Sequence, residues 1–473
     1  MIDLKTRIFY GAGGAVYAVK EAAYTMFILM FYTQVMGLSG TLTGVVISIS
    51  LVWDGISDPL VGTWSDRLRS RFGRRHPLMA LSIIPLGLGF IGLFSPPQAL
   101  VDNHGALAGW LLFWSLWVRT FLTMFSIPHL ALSAEITSDY IQRSQVLGAR
   151  MFVLFLFTVL LPAVALLWIF PSRGEIDGRF VSGNYPLYGA LSCAIVWLMA
   201  MASTVGTRGH IIPSTDGITS SESGVGILVL ISDLRRTLRN STFRLVLGYD
   251  LAASTAWGTI STLNMLVWTY FWEFSAKDVS IMLSVPSILA IFLVSITLKP
   301  LSRRFHKQQL LQMALIGVIV DCLWLYPLKL ANLLPGNGSS TVFVLNFIFM
   351  VVFIYCFLLR SINSYSIVAD ITDEHELEHG TRQEGGFFSV INLISKFASV
   401  IGPVYGGIAL DVIGLETGMM PGQIASTTQN GLVYSLIIGT IPPLLVALYF
   451  ALKIDQSKAK VEAIQARLKR QQS

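Results

Sequence analysis

The sequence predicts an all-α integral membrane protein, with twelve transmembrane helices arranged as two six-helix repeats. Three observations carry that expectation. Of its 473 residues, 53% are hydrophobic and only 13% are charged, where soluble domains carry about a quarter charged residues. Apolar runs of roughly 20 residues, the length that crosses a bilayer, recur along the whole chain. Finally, Ala134-Glu135-Ile136-Thr137 and Ala369-Asp370-Ile371-Thr372 echo each other at a separation close to half the chain.

Taken in order, the first-half spans cover residues 11–36, 42–64, 78–95, 107–131, 147–170 and 187–205. The N-terminal MIDLKTRIFYGAGG has no short apolar core ending in a small-residue cleavage site, so the first span is read as retained. Residues 206–244 are rich in Ser, Thr and Gly before SDLRRTLRNSTFR, and read as a linker with a short basic helix. The second-half spans cover 245–272, 278–298, 309–330, 341–368, 385–413 and 431–452, followed by a charged tail at 453–473. The domain reading is therefore 1–205, linker 206–244, 245–452 and tail 453–473.

The formal net charge of +6 is unevenly placed. RLRSRFGRRH (67–76), the linker, KPLSRRFHK (299–307) and the tail lie on one side if the N-terminus is inside. Roughly twenty Lys/Arg then fall inside and about four outside, which orients both termini to the cytoplasm. The positive charge is thus a topology signal, and nucleic acid is not expected as a partner. Cys193, Cys322 and Cys356 sit in apolar runs, so neither a disulfide framework nor a cysteine zinc site is expected.

His375-Glu376-Leu377-Glu378-His379 fits H-E-x-x-H, a pattern that sets two zinc ligands and a general base on one helical face. The first-half copy of this region shares the A-[ED]-I-T start, a second acid (Asp139, against Asp373) and an arginine (Arg143, against Arg382), but no histidines. The repeated element is the acid/base pattern. Gly380 tends to end a helix at His379, and no third ligand is nominated, so the zinc-enzyme reading is set aside.

The second span reads VVISISLVWDGISDPLVGTWSD, with Asp54 and Asp58 four residues apart on one helical face. Each ionised group at mid-membrane costs about 2.5–3.5 kcal/mol on insertion scales, so both acids should face a polar interior. Adjacent carboxylates share a proton or bind a cation. With Ser57 beside them, Na⁺ or H⁺ coupling is the functional reading, against a buried ion pair with Lys20 or Lys396. Beyond a Na⁺ there, no metal and no cofactor is expected. Lys20, Glu21, Arg119, Asp250, Asp321 and Arg360 also fall within or near spans, where a substrate contact and a paired structural role are both open. Asn337-Gly338-Ser339 matches a glycosylation triplet in a predicted outer loop.

Gly62-Thr63-Trp64-Ser65-Asp66-Arg67 followed by Arg71-Phe72-Gly73-Arg74-Arg75 resembles the G-x-x-x-D-[RK]…G-R-R loop of the major facilitator superfamily. WDGISDPLVGTWSDRLRSRFGRRHP, with ADITDEHELEHGTRQEGGFFSVINLISK, resembles the glycoside–pentoside–hexuronide cation symporters within it. That resemblance implies a cation site of Asp54, Ser57, Asp58 and Thr123, with Arg150, Asn392 and Lys396 near cation or substrate. It also implies that Asp66, Arg67, Arg74, Arg75, Glu135, Arg143, Asp370, Asp373 and Arg382 form cytoplasmic salt bridges that gate the inner side. The sugar-transporting members place an acid and an aromatic where this chain has Ser126 and Leu130, which argues against a simple galactoside. Lys20, Ser126, Arg150, Asp250, Asn392 and Lys396 are taken as candidate substrate contacts.

The expected function is a cation-coupled symporter of a small organic solute, a sugar or glycoside, working by alternating access as a monomer in a plasma or inner membrane. A lysolipid or other amphiphile is the alternative cargo. The Asp-rich DGISD and DITD are similar to the metal-binding segments of membrane prenyltransferases. Twelve spans in two repeats set an intramembrane metal-dependent enzyme well behind, and no enzyme activity is expected.

Overall fold

The computed structural model describes residues 2–137, 139–172, 174, 176–211, 237–238, 240–379, 384–455, 460–461, 463–464 and 467. Most of the linker and Arg382 lie outside the described residues.

Among the described residues twelve long helices follow one another: α1 (Leu4–Val35), α2 (Gly40–Arg67), α3 (His76–Phe94), α4 (His104–Ile136), α5 (Tyr140–Trp168) and α6 (Asn184–Gly206), then α7 (Ser241–Leu266, continued by a π-turn at Val267–Phe271), α8 (Ala276–Arg304), α9 (Lys307–Leu330), α10 (Ser340–His379), α11 (Glu384–Ser399 with Ile401–Val412) and α12 (Ser426–Lys453). Among the described residues, all but α7 are long and apolar enough to cross a membrane by length and composition. Helix α7 falls short because Asp250 and a run of Ser and Thr dilute its hydropathy.

Helix starts follow from side chains able to satisfy the first free N–H groups. Asp3, Ser39, Asn103, Asp139 and Asn240 each accept from the backbone N–H three residues on. Asp411 adds its carboxylate to the start of α2, accepting from the Gly40 and Thr41 N–H groups at 2.8 Å each, where a negative charge complements the helix dipole. One boundary departs from expectation. Helix α10 was expected to end at 368, yet it runs on to His379, so Asp370-Ile371-Thr372-Asp373 and the two histidines are helical rather than looped.

Internal packing divides the chain into two compact units. Unit 1 holds Met1–Ile227 with Ser275–Ser280 and Gly406–Ile424; unit 2 holds Leu228–Phe274, Ile281–Tyr405 and Ala425–Ser473. Within unit 1, α1 packs on α5 and α6, and α3 packs on α4 and α6. Within unit 2 the same pairings recur, α7 on α11 and α12 and α9 on α10 and α12. Small residues permit the closest approaches, as membrane helices require. A Cβ on Gly14 would lie 2.3 Å from the Arg150 carbonyl oxygen, and one on Gly402 would lie 2.1 Å from the Gly258 carbonyl carbon.

The repeat is written most plainly where the first helix of each set ends. Phe31-Tyr32-Thr33-Gln34-Val35-Met36-Gly37-Leu38-Ser39-Gly40 and Val267-Trp268-Thr269-Tyr270-Phe271-Trp272-Glu273-Phe274-Ser275-Ala276 make the same turn. The Met36 and Trp272 N–H groups donate five residues back, to Phe31 O at 2.9 Å and Val267 O at 3.1 Å. The Leu38 and Phe274 N–H groups donate six back, at 2.8 and 2.9 Å. Thr33 and Thr269 return their hydroxyls to the carbonyls four residues earlier, at 2.7 and 2.8 Å. Gly37 (φ 78°) and Glu273 (φ 53°) both adopt the left-handed conformation that ends the turn.

Candidate cation-coupling site

Helix α2 places Asp54, Ser57 and Asp58 on one face, and α4 places Arg119 and Thr123, one turn apart, opposite them. The Thr123 hydroxyl stands between the acids, 3.0 Å from Asp58 Oδ1 and 3.5 Å from Asp54 Oδ1, with Ser57 Oγ 3.3 Å away. Asp54, Ser57, Thr123 and Arg119 are all buried, Arg119 to 1% exposure. Arg119 Nη1 donates to Asp54 Oδ2 at 3.0 Å, its Nε donates to Ser50 Oγ at 2.8 Å, and its guanidinium stacks 4.6 Å from the Tyr24 ring centroid.

The base bonded to Asp54 within unit 1 is Arg119. Lys20 pairs with Glu21 at 2.9 Å and sits over the Tyr17 ring at 4.3 Å; Lys396 lies on α11 in unit 2. Arg119 was missed as a partner. Its signal was present, because Ser115, Arg119 and Thr123 repeat at a spacing of four on α4 and share a face.

The candidate substrate residues are divided between the two units. Ser126 lies one turn beyond Thr123 on α4, and Arg150 sits on α5 beside α1. In unit 2, Asp250 accepts from the Ser395 hydroxyl, next to Lys396, while Asn392 is exposed on α11.

Several of the residues expected to gate the inner side form ion pairs within their own unit. Arg75 reaches Asp66 at 2.6 Å, Glu135 at 3.1 Å and Ser65 Oγ at 2.9 Å, and Arg74 adds a second bridge to Glu135 at 3.2 Å. In unit 2 the matching acid, Asp370, takes Lys307 at 2.7 Å. Each A-[ED]-I-T acid thus binds a base at the start of its partner helix, Arg75 at the N-cap of α3 and Lys307 at the first residue of α9. Asp373 lies on the same stretch of α10, and Arg67 and Arg143 are exposed outside the clusters.

Two other motifs sit in packed surroundings. His375 is buried at 3% exposure with its ring edge-on to Phe387, 5.3 Å between centroids. The His379 side chain lies outside the described residues. Asn337 spends the nitrogen a glycan would need on a hydrogen bond to Phe271 O at 3.1 Å.

With this geometry established, residues 9–455 match the family described as MFS/sugar transport protein. The chain belongs to that family. Relatives include an uncharacterized symporter of Synechocystis, sll1374, 31% identical over 32% of this chain and 28% of its own length. The putative glycoside/cation symporter YagG of Escherichia coli is 22% identical over 99% of this chain and 95% of its own. The sodium-dependent lysophosphatidylcholine symporter 1-A of Danio rerio is 22% identical over 98% and 88%. The crystal structure of the nucleoside transporter NupG superposes with a TM-score of 0.65 at 14% identity, covering 96% of this chain and 99% of that one, which shows the fold. The chain is a multi-pass membrane transporter of the major facilitator superfamily, not an enzyme.

Proposed function

We propose that the chain is a symporter that couples a small organic solute to Na⁺ or H⁺ through Asp58, with Asp54, Ser57 and Thr123 completing the site. The observation that carries this is the Thr123 hydroxyl bridging two carboxylates one turn apart, with Ser57 alongside. Carboxylate and hydroxyl oxygens suit hard cations. Arg119 occupies one oxygen of Asp54 and fixes that side chain, which gives Asp54 a holding role; the exchanging cation is assigned to Asp58, which meets the Thr123 hydroxyl at 3.0 Å. Binding energy realised only when cation and solute are both present would drive the switch between access states. Arg74, Arg75, Asp66 and Glu135 would tie helix ends together within unit 1, as Lys307 and Asp370 would within unit 2. We further assign both termini to the cytoplasm and the protein to a plasma or inner membrane, from the distribution of Lys and Arg.

A sugar-type solute and an amphiphile remain the two cargo classes, the first named for YagG and the second for the Danio rerio symporter. Ser126 and Leu130 in place of an acid and an aromatic weaken the first. Uptake into proteoliposomes of a solute from either class should rise with an inward Na⁺ or H⁺ gradient and lose that dependence in Asp58→Asn. Gradient-driven uptake that persists undiminished in Asp58→Asn refutes the assignment.

A further inference from the structure

Arg360 is a membrane cation that the coupling site does not use. Asp370, which takes Lys307 at the start of α9, marks the charged rim of unit 2. Arg360 lies ten residues earlier on α10, about 15 Å deeper at 1.5 Å per residue. That is about half of a ~30 Å hydrocarbon core. Its guanidinium rests 5.0 Å from the Phe357 ring centroid and 5.9 Å from that of Tyr249, and its Nη1 donates to the Tyr249 hydroxyl at 3.0 Å. Tyr249 is fully buried, so one side of the guanidinium has a fixed seat.

No carboxylate among the described residues lies within 4.0 Å of it. The acid next along α7, Asp250, accepts from the Ser395 hydroxyl and attracts Arg360 without touching it. One of five N–H donors is used by Tyr249, and the side chain is only half-buried. A guanidinium inside a membrane is tolerated where it meets a partner or a wet cavity. A planar, ring-stacked fork with donors to spare matches the two oxygens of a carboxylate or phosphate.

We propose that Arg360, positioned by Tyr249 and Phe357, binds the anionic group of an organic cargo, a carboxylate or a phosphate. The inference rests on the transporter reading above and narrows the cargo to anions. A purely structural Arg360, held by its cation–π seat alone, would show no preference for charge.

The full chain in lipid nanodiscs, with no gradient, provides the test. Two matched pairs serve as probes: D-glucuronate with D-glucuronamide, and a lysophosphatidic acid with the monoacylglycerol of the same chain. One anion should bind at least tenfold tighter than its neutral partner, and the pair that shows this tells a sugar acid from a lipid phosphate. Arg360→Gln should abolish that preference and Arg360→Lys should retain part of it, with unliganded melting temperatures showing that both variants fold. Equal binding within both pairs, or a preference that survives in Arg360→Gln, overturns the proposal. Asp58→Asn should keep the charge preference, so loss of coupling and loss of anion recognition are read separately.

Discussion

Asp54 and Asp58 are the same residue type one turn apart, yet they meet different surroundings. Asp54 faces a base that is 1% exposed, and Asp58 faces a hydroxyl. Removing one member of a buried ion pair leaves the other charge uncompensated, at a cost of about 3–5 kcal/mol. Asp54→Asn and Arg119→Gln should each lower the melting temperature sharply, and the double variant should be more stable than either single one. A double-mutant cycle by thermal unfolding checks this; additive losses would mean that the two side chains do not depend on each other. For His375→Ala, loss of a buried ring on Phe387 should cost about 1–3 kcal/mol. Metal content by mass spectrometry should not change, whereas a stoichiometric zinc lost on substitution would revive the metal reading. At this scale the sequence exposed the acids, because carboxylates in an apolar run are costly and need a partner. It did not expose their base. Several further charged residues fall within or near spans, and only the rotation of α4 brings Arg119 to face α2.

At the scale of elements, the two π-ended helices make a testable point about backbone. Gly37 sits at φ 78° with open space where a Cβ would go, whereas Gly109 lies within α4 with equally open space. Gly37→Ala should destabilise by about 1–2 kcal/mol through its left-handed conformation alone. Gly109→Ala should stabilise by up to about 1 kcal/mol. Equal effects in thermal unfolding would remove the conformational explanation. Glu273 occupies the equivalent position without glycine, which hid the turn from a glycine-based reading. Aligning FYTQVMGLSG with VWTYFWEFSA would have found it, through the shared Thr and Ser and the aromatic positions. The end of α10 was missed for a related reason. Charged residues after an apolar run read as a loop, yet Glu, Leu and His continue a helix as readily beyond the membrane as within it.

Across the whole molecule, composition and run length gave the membrane class and the twelve helices, and the A-[ED]-I-T echo gave the internal repeat. What sequence left open is how unequal the copies are. Glu135 holds two arginines, with Arg75 only 10% exposed, whereas Asp370 holds a lysine that is 42% exposed. Exposed pairs contribute about 0–1 kcal/mol and buried ones far more when broken. Arg75→Gln should therefore destabilise by at least about 2 kcal/mol and Lys307→Gln by less than about 1 kcal/mol, as read by melting temperature; matched losses would contradict the asymmetry.

The central claim, that a cation visits Asp58, is tested most directly by ligand-linked stability in the absence of any solute. A cation that binds only the folded site stabilises by about 2.7 kcal/mol at a hundredfold excess over its dissociation constant. Purified protein should melt higher in Na⁺ than in choline, or higher as pH falls if the proton is the coupling ion. Asp58→Asn should abolish that response while remaining folded. An equal response in Asp58→Asn would contradict the account.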